Sequence, residues 1–125
     1  MNIIILNSSS EPIYEQITKQ IKNYIFNGTL NEGELLPSIR SLAKELGISV
    51  ITTKRAYEEL ERENFIETVP GRGSYVAVQN KELLKEKKIK VIEDKLLEAI
   101  DESRAVNLSI EDLKDMLDVL NDNTK

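Results

Sequence analysis

Four basic side chains give one stretch of this sequence, residues 37–56, its clearest capacity for chemistry. The charged residues there are Arg40, Lys44, Lys54 and Arg55, with Glu45 as the single acid. Cations of this kind neutralise phosphates, and affinity for DNA comes largely from that neutralisation. The net charge of −5 argues against a nucleic-acid partner when taken alone, but the local excess of positive charge predicts one. An ordinary mixed-charge surface is the alternative.

Side chains for most other chemistries are absent. The chain has no cysteine and no histidine, which excludes thiol chemistry, disulfides, the usual zinc sites and imidazole catalysis. An enzyme would need paired carboxylates or a Ser–Lys arrangement in a cleft, and the acids fall instead at surface spacings on helices. We therefore expect no enzymatic activity, no cofactor and no metal site. The absence of cysteine is compatible with the cytoplasm, and no apolar run reaches the length of a membrane span.

Two short amphipathic helices must position the cations. The apolar residues of the first recur with a helical period: Ile39, Leu42, Ala43 and Leu46. The inward residues of the second repeat that spacing: Thr53, Ala56, Tyr57 and Leu60. Ser38 and Ser49 are suited to cap the two helices, and Gly47 ends the first. Two helices joined by about three residues that include a glycine are typical of a helix-turn-helix.

The outer face of the second helix combines charge with an isoleucine. With Thr53 at the centre of the inner face, the outward residues are Ile51, Arg55, Glu58 and Arg62, flanked by Thr52 and Lys54. An isoleucine on a solvated face is a local inconsistency, and such inconsistencies tend to mark function. A recognition helix contacts base edges with its N-terminal residues, where an aliphatic group can pack on a thymine methyl. The alternative is an ordinary exposed apolar side chain.

The sequence changes period after Phe65. Residues 66–69 and 74–78 alternate on either side of Pro-Gly-Arg-Gly, which predicts a β-hairpin. Gly71 and Gly73 allow the positive φ angles of such a loop, and its tip carries Arg72. A cation at the end of a hairpin beside a helix-turn-helix is well placed to enter a minor groove. A solvated turn arginine is the alternative.

A further helix precedes this pair and supplies a packing partner for it. Its apolar residues form one stripe: Tyr14, Ile17, Ile21, Tyr24 and Ile25. We predict that Ser8–Ser10 cap this helix ahead of Pro12, and that Asn27 and Gly28 end it.

Two segments without a clear period flank the helix. Residues 1–6 predict either a short strand or a loose arm. Residues 29–36 predict a loop that Leu30 and Leu35 anchor.

Residues 10–78 resemble the winged-helix DNA-binding domain of GntR-family bacterial transcription regulators. The matching stretches are PIYEQI at 12–17, LPSIRSLAKELGIS at 36–49, RAYEELE at 55–61 and GRGSYV at 71–76. The resemblance implies an operator-binding regulator that acts as a dimer on a palindrome. The DNA-binding residues we predict are Ser38, Arg40, Ser49, Val50, Ile51, Thr52, Lys54, Arg55, Gly71 and Arg72. Val50 and Ile51 stand where many relatives place arginine, asparagine or threonine.

The sequence of residues 79–125 predicts a tail of two helices. One apolar seam runs along residues 81–106, and a second helix follows Ser109, which with Asp112 resembles a capping box. The apolar faces exceed what two helices can bury alone, so they must meet a second copy, the chain's own winged helix or a different protein. We favour a homodimer. The interface residues we predict are Ile89, Ile92, Leu96, Ala99, Leu113, Leu117 and Leu120.

The sequence thus predicts a mainly α fold with a small β-hairpin, divided into a winged helix-turn-helix domain over residues 1–78 and a helical hairpin for dimerisation over residues 79–125. The short tail resembles the YtrA-like subgroup, and it leaves little room for a small-molecule effector site except at a dimer interface. We predict a DNA-binding transcription regulator, with repression favoured. The alternative is a winged helix that contacts proteins and not DNA.

Overall fold

The computed structural model of the protein describes residues 1–124. Its elements are α1 Ile13–Phe26, α2 Ile39–Leu46, α3 Val50–Arg62, β1 Ile66–Val69, β2 Gly73–Val76, α4 Lys81–Ala105 and α5 Ile110–Thr124. Two compact units divide these elements, one formed by Met1–Lys81 and the other by the residues from Glu82 onward. The mainly helical fold with one β-hairpin confirms the predicted fold class.

The core of the first unit forms where α3 packs against α1 and α2. Most residues of the stripes predicted from helical periodicity are buried, whereas four of them, Tyr14, Tyr24, Ile39 and Leu46, are half-buried. The buried members include Ile17, Ile21, Leu42, Thr53, Ala56 and Leu60. Thr53 is polar but fully enclosed, and its hydroxyl donates to the Ser49 carbonyl oxygen at 3.1 Å. That bond satisfies the hydroxyl, so the threonine is accommodated in an apolar core.

The junction between α2 and α3 has the predicted caps and turn. Ser38 Oγ accepts a hydrogen bond from the Ser41 N–H at 3.1 Å, and Ser49 Oγ accepts from the Thr52 N–H at 3.0 Å. Gly47 has a φ of 68°, a left-handed conformation that favours glycine. Each serine cap stabilises its helix by about 1 kcal/mol. These local signals fix where the helix-turn-helix starts, turns and resumes.

The start of α1 differs from the prediction. Pro12 itself occupies the N-cap position, and its carbonyl oxygen accepts from the N–H groups of Glu15 and Gln16, both at 3.1 Å. No serine side chain caps the helix: Ser9 Oγ accepts only from the Glu11 N–H. The predicted cap by Ser8–Ser10 is wrong because the helix begins too far downstream for those hydroxyls to reach its first turn.

The loop before α2 is anchored by Leu30, as predicted, and by Leu36 in place of the predicted Leu35. Leu30 and Leu36 are buried, whereas Leu35 is 56% exposed. The segment pairs with β2 through three backbone bonds, including Leu36 N–H to Ser74 O at 2.9 Å. Because side chains alternate along a paired segment, burial of Leu36 turns Leu35 outward.

The hairpin forms the wing. Strands β1 and β2 pair antiparallel with Ile66 opposite Val76 and Val69 opposite Gly73. Gly71 and Gly73 have φ angles of 77° and 109°, as the predicted turn requires. Ile66 and Val76 are buried, so one end of the hairpin is fixed to the core while its loop projects.

Residues 1–6 form an N-terminal arm that side chains of α1 bind. Gln20 accepts from the Ile4 N–H at 2.9 Å and donates to the Ile4 carbonyl at 2.7 Å. Gln16 makes the equivalent pair of bonds with Leu6, at 2.9 and 3.1 Å. The arm is therefore neither of the predicted alternatives. It is not loose, and it is not a strand, because its backbone bonds to glutamine side chains and not to another strand.

The second unit contains two helices joined at a left-handed turn. Asn107 has a φ of 59°, and the Leu108 N–H donates to Ser103 O at 2.9 Å. The predicted capping box is confirmed: Ser109 N–H donates to Asp112 Oδ2 at 2.9 Å, and Asp112 N–H donates to Ser109 Oγ at 3.1 Å. The backbone hydrogen bond holds the pKa of Asp112 below its usual value. Helix α5 buries none of its described side chains.

Candidate nucleic-acid interface

The predicted DNA-binding residues all lie in the unit formed by Met1–Lys81. Three of them, Val50, Ile51 and Thr52, occupy the first turn of α3, and Val50 and Ile51 are 48% and 80% exposed. The opposite side of the same helix carries Thr53, Ala56 and Leu60, which are completely buried. The core therefore orients α3 so that its N-terminal aliphatic side chains face solvent.

The hydroxyl groups around that first turn bond to each other. Ser49 Oγ accepts from the Thr52 N–H and donates to Thr52 Oγ1 at 2.7 Å. The same arrangement starts α2, where Ser38 Oγ accepts from the Ser41 N–H and donates to Ser41 Oγ at 2.9 Å. The predicted contact residues Ser38, Ser49 and Thr52 thus have internal partners, and their first role is to start the helices.

The basic side chains of this unit differ in whether they have an acidic partner. Away from α2 and the wing loop, Lys19 pairs with Glu11 at 2.7 Å, Lys22 with Glu63 at 2.8 Å and Arg62 with Glu59 at 2.6 Å. The hydrogen bond from Arg62 also lowers the pKa of Glu59.

The cations of α2 and the wing loop have no acidic partner in the part of the chain that the structure describes. Among the described residues, none forms an ion pair or side-chain hydrogen bond with Arg40, Lys44 or Arg72. Lys54 is intermediate, since its Nζ lies 4.0 Å from Glu58 Oε1. Free guanidinium and ammonium groups on one helix-turn-helix and its wing can neutralise the phosphates of a duplex.

Arg55 contacts an aromatic ring, which the sequence reasoning did not anticipate. Its guanidinium carbon lies 3.9 Å from the centroid of the Tyr14 ring, a cation–π contact between α3 and α1. Tyr14 in turn donates to Glu15 Oε1 at 3.1 Å, and this hydrogen bond raises the pKa of the phenol. The contact limits the rotamers of Arg55 while leaving its charge unpaired, which suits a side chain that binds phosphate. Neither helix's periodicity could indicate it.

The wing loop is braced by its own backbone. The Arg72 N–H donates to Val69 O at 2.9 Å, and the Tyr75 hydroxyl donates to Arg72 O at 3.2 Å. Both bonds use main-chain atoms of Arg72, so its guanidinium stays available. Gly71 is exposed beside it and has open space where a Cβ would lie.

A buried tyrosine couples α3 to the segment that leads into α2. The Tyr57 hydroxyl donates to Pro37 O at 2.7 Å, and burial raises the pKa of this phenol. Because Pro37 directly precedes the cap of α2, this bond fixes the start of α2 relative to α3. Sequence reasoning placed Tyr57 on the inner face but did not find its polar partner.

The predicted dimer residues lie in the second unit. All of them are at least partly exposed: Ile89, Ile92, Leu96, Ala99, Leu113, Leu117 and Leu120. In residues 1–124, no helix combines the length and apolar character needed to cross a membrane. The same part of the chain has no group of three acidic side chains arranged to hold a metal ion.

Comparison with known proteins identifies relatives over nearly the whole chain. Residues 13–76 match the profile of bacterial regulatory proteins of the gntR family. The chain is 38% identical to the HTH-type transcriptional repressor YtrA of Bacillus subtilis (strain 168), over 87% of this chain and 84% of that protein.

Solved structures give the same result. A transcriptional antiterminator from Listeria monocytogenes EGD-e is 36% identical, with a TM-score of 0.76 over 97% of this chain and 90% of the other. YtrA from Sulfolobus acidocaldarius, a GntR-family transcription factor, is 38% identical, with a TM-score of 0.62 over 76% of this chain and 96% of the other. The wing, the helix-turn-helix and the tail are thus all represented among relatives, and the chain belongs to the gntR family of bacterial regulatory proteins.

Proposed function

We propose that this DNA-binding transcription regulator represses its target genes by binding a palindromic operator as a homodimer. Regulation through DNA binding follows from the family and from the helix-turn-helix with its wing. The relative from Bacillus subtilis is named a repressor, which supports repression here. On this proposal the chain has no catalytic activity and no resident cofactor, works in the cytoplasm, and has no effector site unless the dimer interface forms one.

The contrast between free and paired cations carries the proposal. Arg40, Lys44 and Arg72 lack acidic partners among residues 1–124, whereas Lys19, Lys22 and Arg62 are paired. In the free state, these three cations gain no stabilisation from an acidic partner among the described residues. A duplex would supply the missing anions, and release of its counterions would provide the binding free energy.

The tail supports the homodimer. Apolar side chains along α4 and α5 are exposed in a single chain, including Leu96, Leu117 and Leu120. A second copy can cover them with an equivalent surface, as in most twofold assemblies. Two copies also double the contacts with DNA when the operator has two matched half-sites.

The salt dependence of DNA binding tests the interface. We would select duplexes from a randomised pool with the purified full chain and measure binding by fluorescence anisotropy across a salt series. Arg40→Ala and Arg72→Ala should each weaken binding and reduce the slope of log K against log salt by about 1. Lys19→Ala is the matched control, since its ammonium already pairs with Glu11, and it should bind like the wild type.

If both arginine variants keep the wild-type slope of log K against log salt, the proposal that α2 and the wing loop contact DNA is wrong. Repression itself is tested with the selected operator placed between a promoter and a reporter gene. Expression should fall when the regulator is present, and a rise would identify an activator instead.

A further inference from the structure

We propose that Ile51, with Val50 beside it, recognises the 5-methyl groups of operator thymines in the major groove. Apolar contact would then specify bases at positions where a polar recognition helix uses hydrogen bonds. This inference rests on the proposed function, because it requires α3 to enter the major groove. It adds which chemical feature of the operator the helix reads.

The position and exposure of Ile51 provide the first argument. Ile51 is 80% exposed in the first turn of α3, while the opposite side of the helix is fully buried. Residues at the N-terminal end of a recognition helix are those that reach base edges. A large aliphatic side chain in that position costs free energy in the unbound protein, and contact with an apolar group on DNA would recover it.

The neighbouring polar groups provide the second argument. Ser49 donates its hydroxyl proton to Thr52 Oγ1 at 2.7 Å and accepts from the Thr52 N–H at 3.0 Å. The Ser49 hydroxyl has only one proton, so it cannot donate to a base without losing this bond. The Ser49 hydroxyl is thus used within the helix start, and Thr52 Oγ1 accepts its proton, so that only the Thr52 proton is left to donate to a base. The large exposed side chains beside these two hydroxyl groups are Val50 and Ile51.

The cations around this turn supply the remaining requirement, which is docking. Arg40 has no acidic partner among the described residues and Arg55 lies on the Tyr14 ring without one, so both can bind phosphates, and phosphate contacts set the register of a helix in the groove. Such contacts carry no base information. With the cations placed on phosphates, the two aliphatic residues at the front of α3 are free to contact base edges.

Thymine is the base that offers an apolar partner. Its C5-methyl group lies in the major groove, and none of the other three unmodified bases carries an alkyl group there. Burial of one methylene-sized group is worth about 0.8 kcal/mol, which corresponds to about fourfold in affinity. Operators selected by this protein should carry thymines at fixed positions of each half-site.

Single replacement of thymine by deoxyuridine tests the inference, because it removes only the methyl group. We would replace each thymine of a selected duplex in turn and measure the dissociation constant with the full chain. At one or more positions in each half-site, binding should weaken by about fourfold. Unchanged affinity across all replacements, with selective binding intact, would overturn the inference and leave the proposed function standing.

A double-mutant cycle assigns the effect to the side chain. Ile51→Ala should weaken binding to the thymine duplex and should be insensitive to deoxyuridine at the position that Ile51 contacts. Ile4→Ala is the matched control, an isoleucine that is 59% exposed on the N-terminal arm, and it should keep the full wild-type response. A deoxyuridine effect that persists undiminished in Ile51→Ala would overturn the assignment. If the protein enriches no duplex at all, the proposed function fails, and this inference fails with it.

Discussion

At the scale of single residues, the hydrogen bond from Tyr57 to Pro37 joins the two helices of the DNA-binding motif. Tyr57→Phe removes only the hydroxyl and leaves the Pro37 carbonyl without its partner. We expect the free energy of unfolding to fall by about 1 kcal/mol, measured by urea denaturation. Tyr75→Phe is the control, because its hydroxyl bond to Arg72 O is solvent exposed and should contribute less. Equal effects of the two variants would contradict this role.

The same residue predicts a dependence on pH. Burial raises the pKa of Tyr57, so the unfolded chain loses this phenol proton at a lower pH than the folded chain does. The contribution to stability is fully present below the ordinary tyrosine pKa of about 10 and is lost as the pH rises above it. The stability difference between wild type and Tyr57→Phe should therefore shrink above that pH. A difference that stays constant into the alkaline range would exclude this linkage.

At the scale of elements, the geometry of the wing depends on Gly73. Its φ of 109° is a conformation that side chains rarely adopt, so Gly73→Ala should destabilise the protein by about 2 kcal/mol in thermal or urea unfolding. A Cβ there would also lie 3.2 Å from Leu35 Cδ1. Because Leu35 is exposed and can rotate away, we expect the backbone conformation to account for the cost.

The double variant Gly73→Ala with Leu35→Ala separates the two causes. It should remain destabilised, because removing the leucine does not change the φ that residue 73 must adopt. Recovery of wild-type stability would show that the steric contact mattered instead. Gly71→Ala should cost less, about 1 kcal/mol, since its φ of 77° lies nearer the left-handed helical region and nothing stands close to the new Cβ.

Elements with a local signal were predictable from the sequence, and elements bound through long-range polar contacts were not. The buried stripe of α3, the turn at Gly47 and the loop of the wing each follow from periodicity or from a glycine. The N-terminal arm gave no such signal, because its partners are the side chains of Gln16 and Gln20 on a helix. An amide that replaces a strand partner leaves no mark in hydrophobic periodicity.

The candidate site also contains features that the sequence predicts and features that it does not. Exposure of Ile51 follows from helical geometry, and the wing arginine follows from its turn. The contact of Arg55 with Tyr14 and the bond of Tyr57 with Pro37 depend on how α1, α2 and α3 pack, which the sequence pattern does not specify.

At the scale of the whole molecule, the two units differ in how they are stabilised. The unit of residues 1–81 has an enclosed apolar core, whereas Ser103 is the only buried residue described in α4, and α5 has none. Most helical stability in proteins comes from packing of an apolar face, so we expect the tail to gain stability when another surface covers its exposed side chains. If a second copy provides it, the helical content of the full chain should melt at a temperature that rises with protein concentration.

A charged substitution in α5 tests that association directly. Leu117→Glu places a carboxylate on the predicted dimer face, at a side chain that is 53% exposed in the single chain. The first unit should remain folded, while light scattering at tens of micromolar should report a monomer instead of a dimer. Affinity for a two-half-site duplex should fall on the order of a hundredfold, because the second half-site no longer benefits from a high effective concentration.

Val119→Glu is the matched control, since Val119 is 59% exposed but lies well off the stripe that contains Leu117, and it should remain dimeric. Dimers of Leu117→Glu with wild-type affinity would show that the tail pairs through another surface or does not pair the DNA-binding units.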